Sequence, residues 1–213
     1  MAIILRKGQS LSLDESKHNL SEVKIGLGWD IIKPKKGFYH GLFEDKTAEY
    51  DLDVVALLCN EKGKIKNLGW DARGKPTFRN SDVVFFDNLS HSTGQVWLTG
   101  DNRTGAGEGD DEQIIVKLNT LSEQYHRIVF IVQIYDGIKN QQHFGQVKNA
   151  FIRAVDGSGK EMVRFDLSDS DEYEEQRSLV FAELVREIDG WRFSAIGNPS
   201  PSDNFMEWIK QYV

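Results

Sequence analysis

Short runs rich in Val, Ile and Phe recur along this chain, each closed by Gly, Asp, Asn or Ser: Val23–Leu27, Leu52–Cys59, Val83–Phe86, Gln95–Leu98, Ile114–Leu118, Ile128–Tyr135, Phe151–Val155, Met162–Leu167 and Trp191–Ile196. Runs of this length and composition read as strands joined by turns. Ile114, Val116 and Leu118 alternate and so bury one face, whereas Ile128–Tyr135 is more uniformly apolar and reads as a central strand covered on both sides, with a buried helical turn as the alternative. Two stretches read as helical. In Glu174–Asp189 the residues Val180, Phe181, Leu184, Val185 and Ile188 follow a helical stripe, with Gly190 as its stop. Near the end, Asp203 is placed to cap a short helix carrying Phe205, Trp208 and Ile209 on one face. Many strands and few helices predict an all-β dominated fold, a β-sandwich of two packed sheets with one or two peripheral helices.

The expected organisation is a single domain over residues 1–213, with loop insertions at about 33–49 and 62–81 and a C-terminal extension at 198–213. No internal repeat or proline-rich linker divides the chain. Acidic residues outnumber basic ones, 33 to 26, so a general affinity for nucleic acid is disfavoured and no nucleic-acid partner is expected. No apolar run approaches the ~20 residues of a membrane span, and the first residues do not read as a signal peptide. The expected location is cytoplasmic, with no integral membrane segment and with peripheral membrane association left open. One cysteine, Cys59, excludes an internal disulfide framework and a four-cysteine zinc site.

The segment Thr99–Glu112 stands apart, with five carboxylates and four glycines between two strand-like runs. Carboxylates this close repel one another unless they spread into solvent or share a cation. Gly105, Gly107 and Gly109 let the backbone fold back and turn its carbonyls inward. Carboxylate, amide and carbonyl oxygens on a pliable loop are the donors Ca²⁺ prefers, about six to eight of them. The loop is not an EF-hand: Asp101 and Glu112 fit its first and twelfth positions, but Arg103 and Gly105 stand where oxygen-bearing side chains belong. Asp51 and Asp53, two apart on a strand, point to one face and are positioned to converge. Asp82 and the Asp87-Asn88 pair flank a neighbouring run and are candidates for the same end of the sheet.

Taken together, these segments resemble the TerD family of tellurite-resistance and stress-response proteins of bacteria. The resemblance rests on Gly26-Leu27-Gly28-Trp29-Asp30, Asp51-Leu52-Asp53, Asp82-Val83-Val84-Phe85-Phe86, Thr99–Glu112, Phe144–Phe151, Phe165-Asp166-Leu167-Ser168 and Trp191–Gly197, in order along nearly the whole chain. It implies a calcium-binding β-sandwich without established catalytic activity. It also implies calcium ions as the cofactor and protein partners in a stress-response complex. Asp101, Asn102, Asp110, Asp111 and Glu112 match the loop motif, and Asp51, Asp53 and Asp82 match the accompanying acidic positions. With the carbonyls of Gly107 and Gly109, these form the expected metal set. Departures from the family are Val54-Val55 after the paired aspartates, Asp87 in place of Asn, and a C-terminal segment in place of a glycine-rich tail.

The residues also admit two rival readings. An enzyme acting on an oxyanion would need a site: Gly69–Lys75 has the spacing of a phosphate loop, but Pro76 stands where Ser or Thr must hold Mg²⁺. His18, His40, His91, His126 and His143 are scattered, and Cys59 ends an apolar strand with no second thiol to resolve it. An acidic protein–protein adaptor without a metal site would use Ser168–Glu175, a run that also reads as the capped start of a helix.

Overall fold

The computed structural model describes residues 2–31, 50–99, 109–167 and 171–213. Their strands form two six-stranded sheets. The first has the order β1 (Ile3–Leu5), β10 (Glu161–Asp166), β9 (Val147–Val155), β3 (Val23–Ile31), β7 (Glu112–Val116), β6 (Val96–Thr99). The second has the order β2 (Ser10–Asp14), β12 (Gly190–Ser200), β11 (Ser178–Glu187), β8 (Arg127–Ile134), β4 (Leu52–Cys59), β5 (Val83–Val84). Every pairing is antiparallel except β1 with β10. The expected sandwich is therefore present, and both sheets draw strands from the two ends of the chain.

The apolar runs of β4 and β8 follow from two cores. Leu52, Val54, Ala56 and Leu58 alternate into the space between the sheets with Ile128, Phe130 and Val132. Val55, Leu57, Cys59, Val129 and Ile131 face outward, where Ile65, Leu68, Phe85, Phe205, Trp208 and Ile209 cover them. A strand buried on both faces has no polar side to show, which is why these read as largely apolar segments, interrupted only by Asp53 in β4 and by Arg127 and Gln133 in β8. The outer cover depends on the C-terminal residues; truncating a buried side chain such as Trp208 costs about 3–5 kcal/mol.

The helix expected over Glu174–Asp189 is not there: Ser178–Glu187 is a central strand between β8 and β12. A bulge between Val180 and Ala182 breaks the alternation in both of its pairings. Together with burial on both faces, this produces apolar neighbours at 180–181 and 184–185 that imitate a helical stripe. Ile188, the stripe's last member, is fully exposed. Gly190 opens β12 instead of stopping a helix; a Cβ there would stand 2.3 Å from the Leu13 carbonyl oxygen. The acidic run before it does not start a helix either: Asp171–Tyr173 is a single 3-10 turn, and Glu172 pairs with Lys7.

The terminal helix α1 (Met206–Ile209) forms, with Trp208 and Ile209 buried, but Asp203 does not cap it. The Asp203 carboxylate accepts the Ile138 N–H at 2.9 Å, and Asn204 accepts the Met206 N–H at 3.0 Å.

Candidate functional site

The end of the acidic glycine loop is bound into the sandwich at three consecutive carboxylates. Asp111 donates its N–H to the Leu27 carbonyl at 2.7 Å and accepts the Trp29 N–H on its carboxylate at 2.9 Å. That pair continues the β3–β7 ladder, whose last partners are Leu27 and Glu112. Glu112 reaches the other sheet: its carboxylate accepts the Val54 N–H of β4 at 2.6 Å. β5 pairs only with Ala56 and Leu57. The first half of β4 thus has no strand on that side among the described residues, and a side chain supplies the bond a neighbour would have made. Both carboxylates are more than nine-tenths buried, at 8% and 4% exposure.

Asp110 behaves differently. Its carboxylate pairs with the Arg153 guanidinium of β9 at 2.7 Å, and Arg153 also holds Glu161 at 2.7 Å. The Asp110 bond keeps Arg153 charged against the opposing pull of burial, with Glu161 adding to it. Gly26 makes room for this pair, since a Cβ there would lie 2.2 Å from the Asp110 carboxyl carbon. Gly28 is equally constrained, with the Phe151 ring 2.4 Å from where a Cβ would be. Arg153 lies 43 residues beyond Asp110, and nothing local in the sequence pairs them.

Asp51 and Asp53 share the outward parity of Val55 and Leu57, on the face opposite Glu112. Asp53 is buried and accepts a hydrogen bond from the Gln133 side chain at 3.2 Å; Gln133 in turn accepts the Phe205 N–H at 2.8 Å. Glu112 and Asp53 therefore approach the same stretch of β4 from its two faces. Asp101, Asn102 and Gly107 lie outside the described residues, whereas Gly109 is described, with φ +114. Among the described residues no three His, Cys, Asp or Glu side chains are grouped closely enough to hold a metal.

Asp82 does not join this group. Its carbonyl accepts the Leu58 N–H at 2.8 Å. That places it about 13 Å along β4 from Val54, at ~3.3 Å per residue. Its carboxylate takes the Tyr125 hydroxyl at 2.8 Å, His91 Nε2 at 3.2 Å and the N–H groups of Asn67 and Lys66 at 2.9 and 3.2 Å. Burial pushes this carboxyl up, but the bonds from His91, Tyr125 and Asn67 outweigh it and hold its pKa below the usual value. Asp87 is exposed in the turn Phe85–Asn88, and Asn88 is spent on the Val83 carbonyl.

Two segments with enzyme-like features in the sequence take other roles in the fold. Gly69–Pro76 is a hairpin closed by a bridge between Trp70 and Pro76, not a strand-to-helix phosphate cradle. Cys59 is fully buried, and burial pushes its thiol up to about 12, far from a reactive thiolate.

The family model described as the TerD domain matches residues 1–212. The chain is 59% identical over 213 residues to a tellurium resistance protein, TerX, of Serratia marcescens, covering all of both chains. It is 36% identical over 214 residues, again covering both in full, to stress response protein SCP2 of Bacillus subtilis. A crystal structure of a homologue of a telluride resistance protein from Streptomyces coelicolor superposes with a TM-score of 0.60. It covers 92% of this chain and 99% of the other at 21% identity, which speaks to the fold. The chain belongs to the TerD family of tellurium-resistance and stress-response proteins.

Proposed function

We propose that the protein is a non-catalytic calcium-binding member of its family, acting in the cytoplasm as a Ca²⁺-dependent interaction module. The observation that carries this reading is the anchoring of Asp111 and Glu112. One is locked to β3 and the other to β4, so the returning end of an oxygen-rich loop is held in place across both sheets. Their chemistry fits a hard cation: carboxylates in a segment, 99–112, whose sequence holds no His or Cys, beside glycines whose carbonyls can turn inward. Asp111 and Glu112 would hold the ion together with the loop oxygens of Asp101, Asn102, Gly107 and Gly109, while Asp51 and Asp53, on the other face of β4, would add negative charge nearby without joining that group. Asp110, neutralised by Arg153, would act as a supporting residue that fixes the loop end. A bound ion would replace repulsion among the loop carboxylates with attraction, ordering a surface that a protein partner reads only when calcium is present.

The non-catalytic part of the reading is supported by the buried thiol of Cys59 and by His91 being enclosed in the Asp82 cluster. The test is a calorimetric calcium titration with magnesium in competition. Saturable calcium binding that magnesium displaces only at much higher concentration supports the proposal. No calcium heat, or equal displacement by both ions, overturns it.

A further inference from the structure

A second surface lies apart from the acidic loop, on the hairpin that leads into β5. Residues 61–80 carry six cations and two carboxylates, in a chain whose net charge is −7. Asp71, one of those two acids, is exposed, and its carboxylate accepts the N–H groups of Arg73 and Lys75 within the turn, both at 2.8 Å. Lys66, Arg73, Lys75 and Arg79 are exposed and form no ion pair among the described residues. Trp70 stands among them, 56% exposed, whereas Trp29, Trp191 and Trp208 are buried.

The hairpin is built to hold that tip rigidly. Asp71 and Lys75 are joined by a backbone bond of 2.9 Å, Gly74 turns at φ +71, and Thr77 and Phe78 bond back to Gly69 and Leu68 at 2.8 and 2.9 Å. At Gly69, with φ +64, a Cβ would stand 2.1 Å from the Arg79 carbonyl oxygen, so the strands of the hairpin close tightly. Leu68 and Phe78 plug the base into the outer core, and Asp82 clamps Asn67. Ordering a bulky aromatic in water between like charges gives the free protein nothing, whereas it suits a surface offering an apolar boundary and negative charge together.

We propose that this hairpin docks on an anionic lipid surface, Trp70 entering the headgroup boundary and Lys66, Arg73, Lys75 and Arg79 facing acidic headgroups. Indole rings favour that boundary, and cations near an acidic leaflet add attraction that fades within a Debye length. Single-stranded nucleic acid, by contrast, is held in a groove with several stacked aromatics, and here one tryptophan stands on a convex turn.

The proposal does not rest on the calcium reading, so its test runs with chelator in excess. The full chain is sedimented with phosphatidylcholine vesicles with and without phosphatidylserine, at low and raised ionic strength. The expected result is binding that requires phosphatidylserine and weakens with salt. Replacing Arg73→Gln and Lys75→Gln together should weaken it roughly 25-fold, about fivefold for each cation lost, with the melting temperature unchanged because both side chains are exposed. Brominated lipid should quench tryptophan emission of the unaltered protein, and Trp70→Phe should remove that quenching. Absence of phosphatidylserine-dependent binding, an undiminished double variant, or no quenching overturns the proposal. Tighter binding to a single-stranded oligonucleotide than to the vesicles overturns it in favour of nucleic acid.

Discussion

Two clusters of buried carboxylates sit at opposite ends of β4, and they solve the cost of burial in different ways. Asp82 closes on itself, with a hydroxyl, an imidazole and two backbone N–H groups meeting one carboxylate inside the fold. At the other end, Asp111 accepts a backbone N–H from one sheet and Glu112 a backbone N–H from the other, where the acidic segment enters β7. The first arrangement is a strut, satisfied within the described fold. The second fixes oxygens at the mouth of a loop that brings more of the same charge. A family motif that includes all of these acids does not separate them; their partners do.

The largest effect should come from removing the strut. Asp82→Ala leaves the Tyr125 hydroxyl, His91 and two N–H groups without their acceptor. We expect a loss of about 3–5 kcal/mol in denaturant unfolding, the range for breaking a buried charged partnership, with calcium affinity preserved in the folded fraction. A large loss of calcium binding at unchanged stability would erase the distinction between the two ends. Next in size, Gly26→Ala forces a Cβ onto the Asp110 carboxyl and should destabilise by about 1–3 kcal/mol as an overpacked site, read in the same unfolding experiment.

The loop end can be divided further. Asp111→Ala should abolish most calcium binding. Asp110→Asn, which disturbs a support and not a ligand, should weaken it by about 10–100-fold, as outer partners of metal sites do. Equal losses in a calorimetric titration would return Asp110 to the ligand set. Cys59→Ala should cost roughly 1 kcal/mol as a small buried side chain and leave calcium binding alone.

The smallest effect is on acid unfolding. Because the Asp82 carboxyl is held below its ordinary value in the fold, the unfolded chain binds the proton more readily between the two values. Its contribution is complete above about pH 4, near the unfolded value, and is lost as the pH falls through the folded one. Asp82→Asn should therefore flatten the low-pH limb of the stability curve; an unchanged limb would show that the carboxylate is not held as described.

What was legible in the sequence follows the same physical line. Leu52–Cys59 reads as a strand with its observed ends, because both faces of β4 are covered and both flanks are polar. Ser178–Glu187 reads as a helix, because a bulge shifts its alternation and burial on both faces removes the polar side. The weight of Asp111 and Glu112 is visible in their spacing and company alone. The separate fate of Asp82 depends on His91 and Tyr125, and that of Asp110 on Arg153, partners 9 to 43 residues away. Gly26 and Gly28 appear in the sequence as a family signature. Their reason, the room needed by Asp110 and Phe151, is visible only in three dimensions.

On the calcium reading proposed above, the Asp111–Glu112 end, and not the Asp82 end, carries the ion. The most direct measurement is the thermal melt of the protein and of Asp111→Ala in calcium, in magnesium and in excess chelator. A ligand at a hundredfold excess over its Kd stabilises the native state by about 2.7 kcal/mol. For a chain of this size that is a rise of roughly 5–10 °C, at ~2–4 °C per kcal/mol. We expect that rise for the unaltered protein in calcium, its reversal by chelator, little effect of magnesium, and no calcium shift in Asp111→Ala. Superimposable melts of the unaltered protein in calcium and chelator would contradict it.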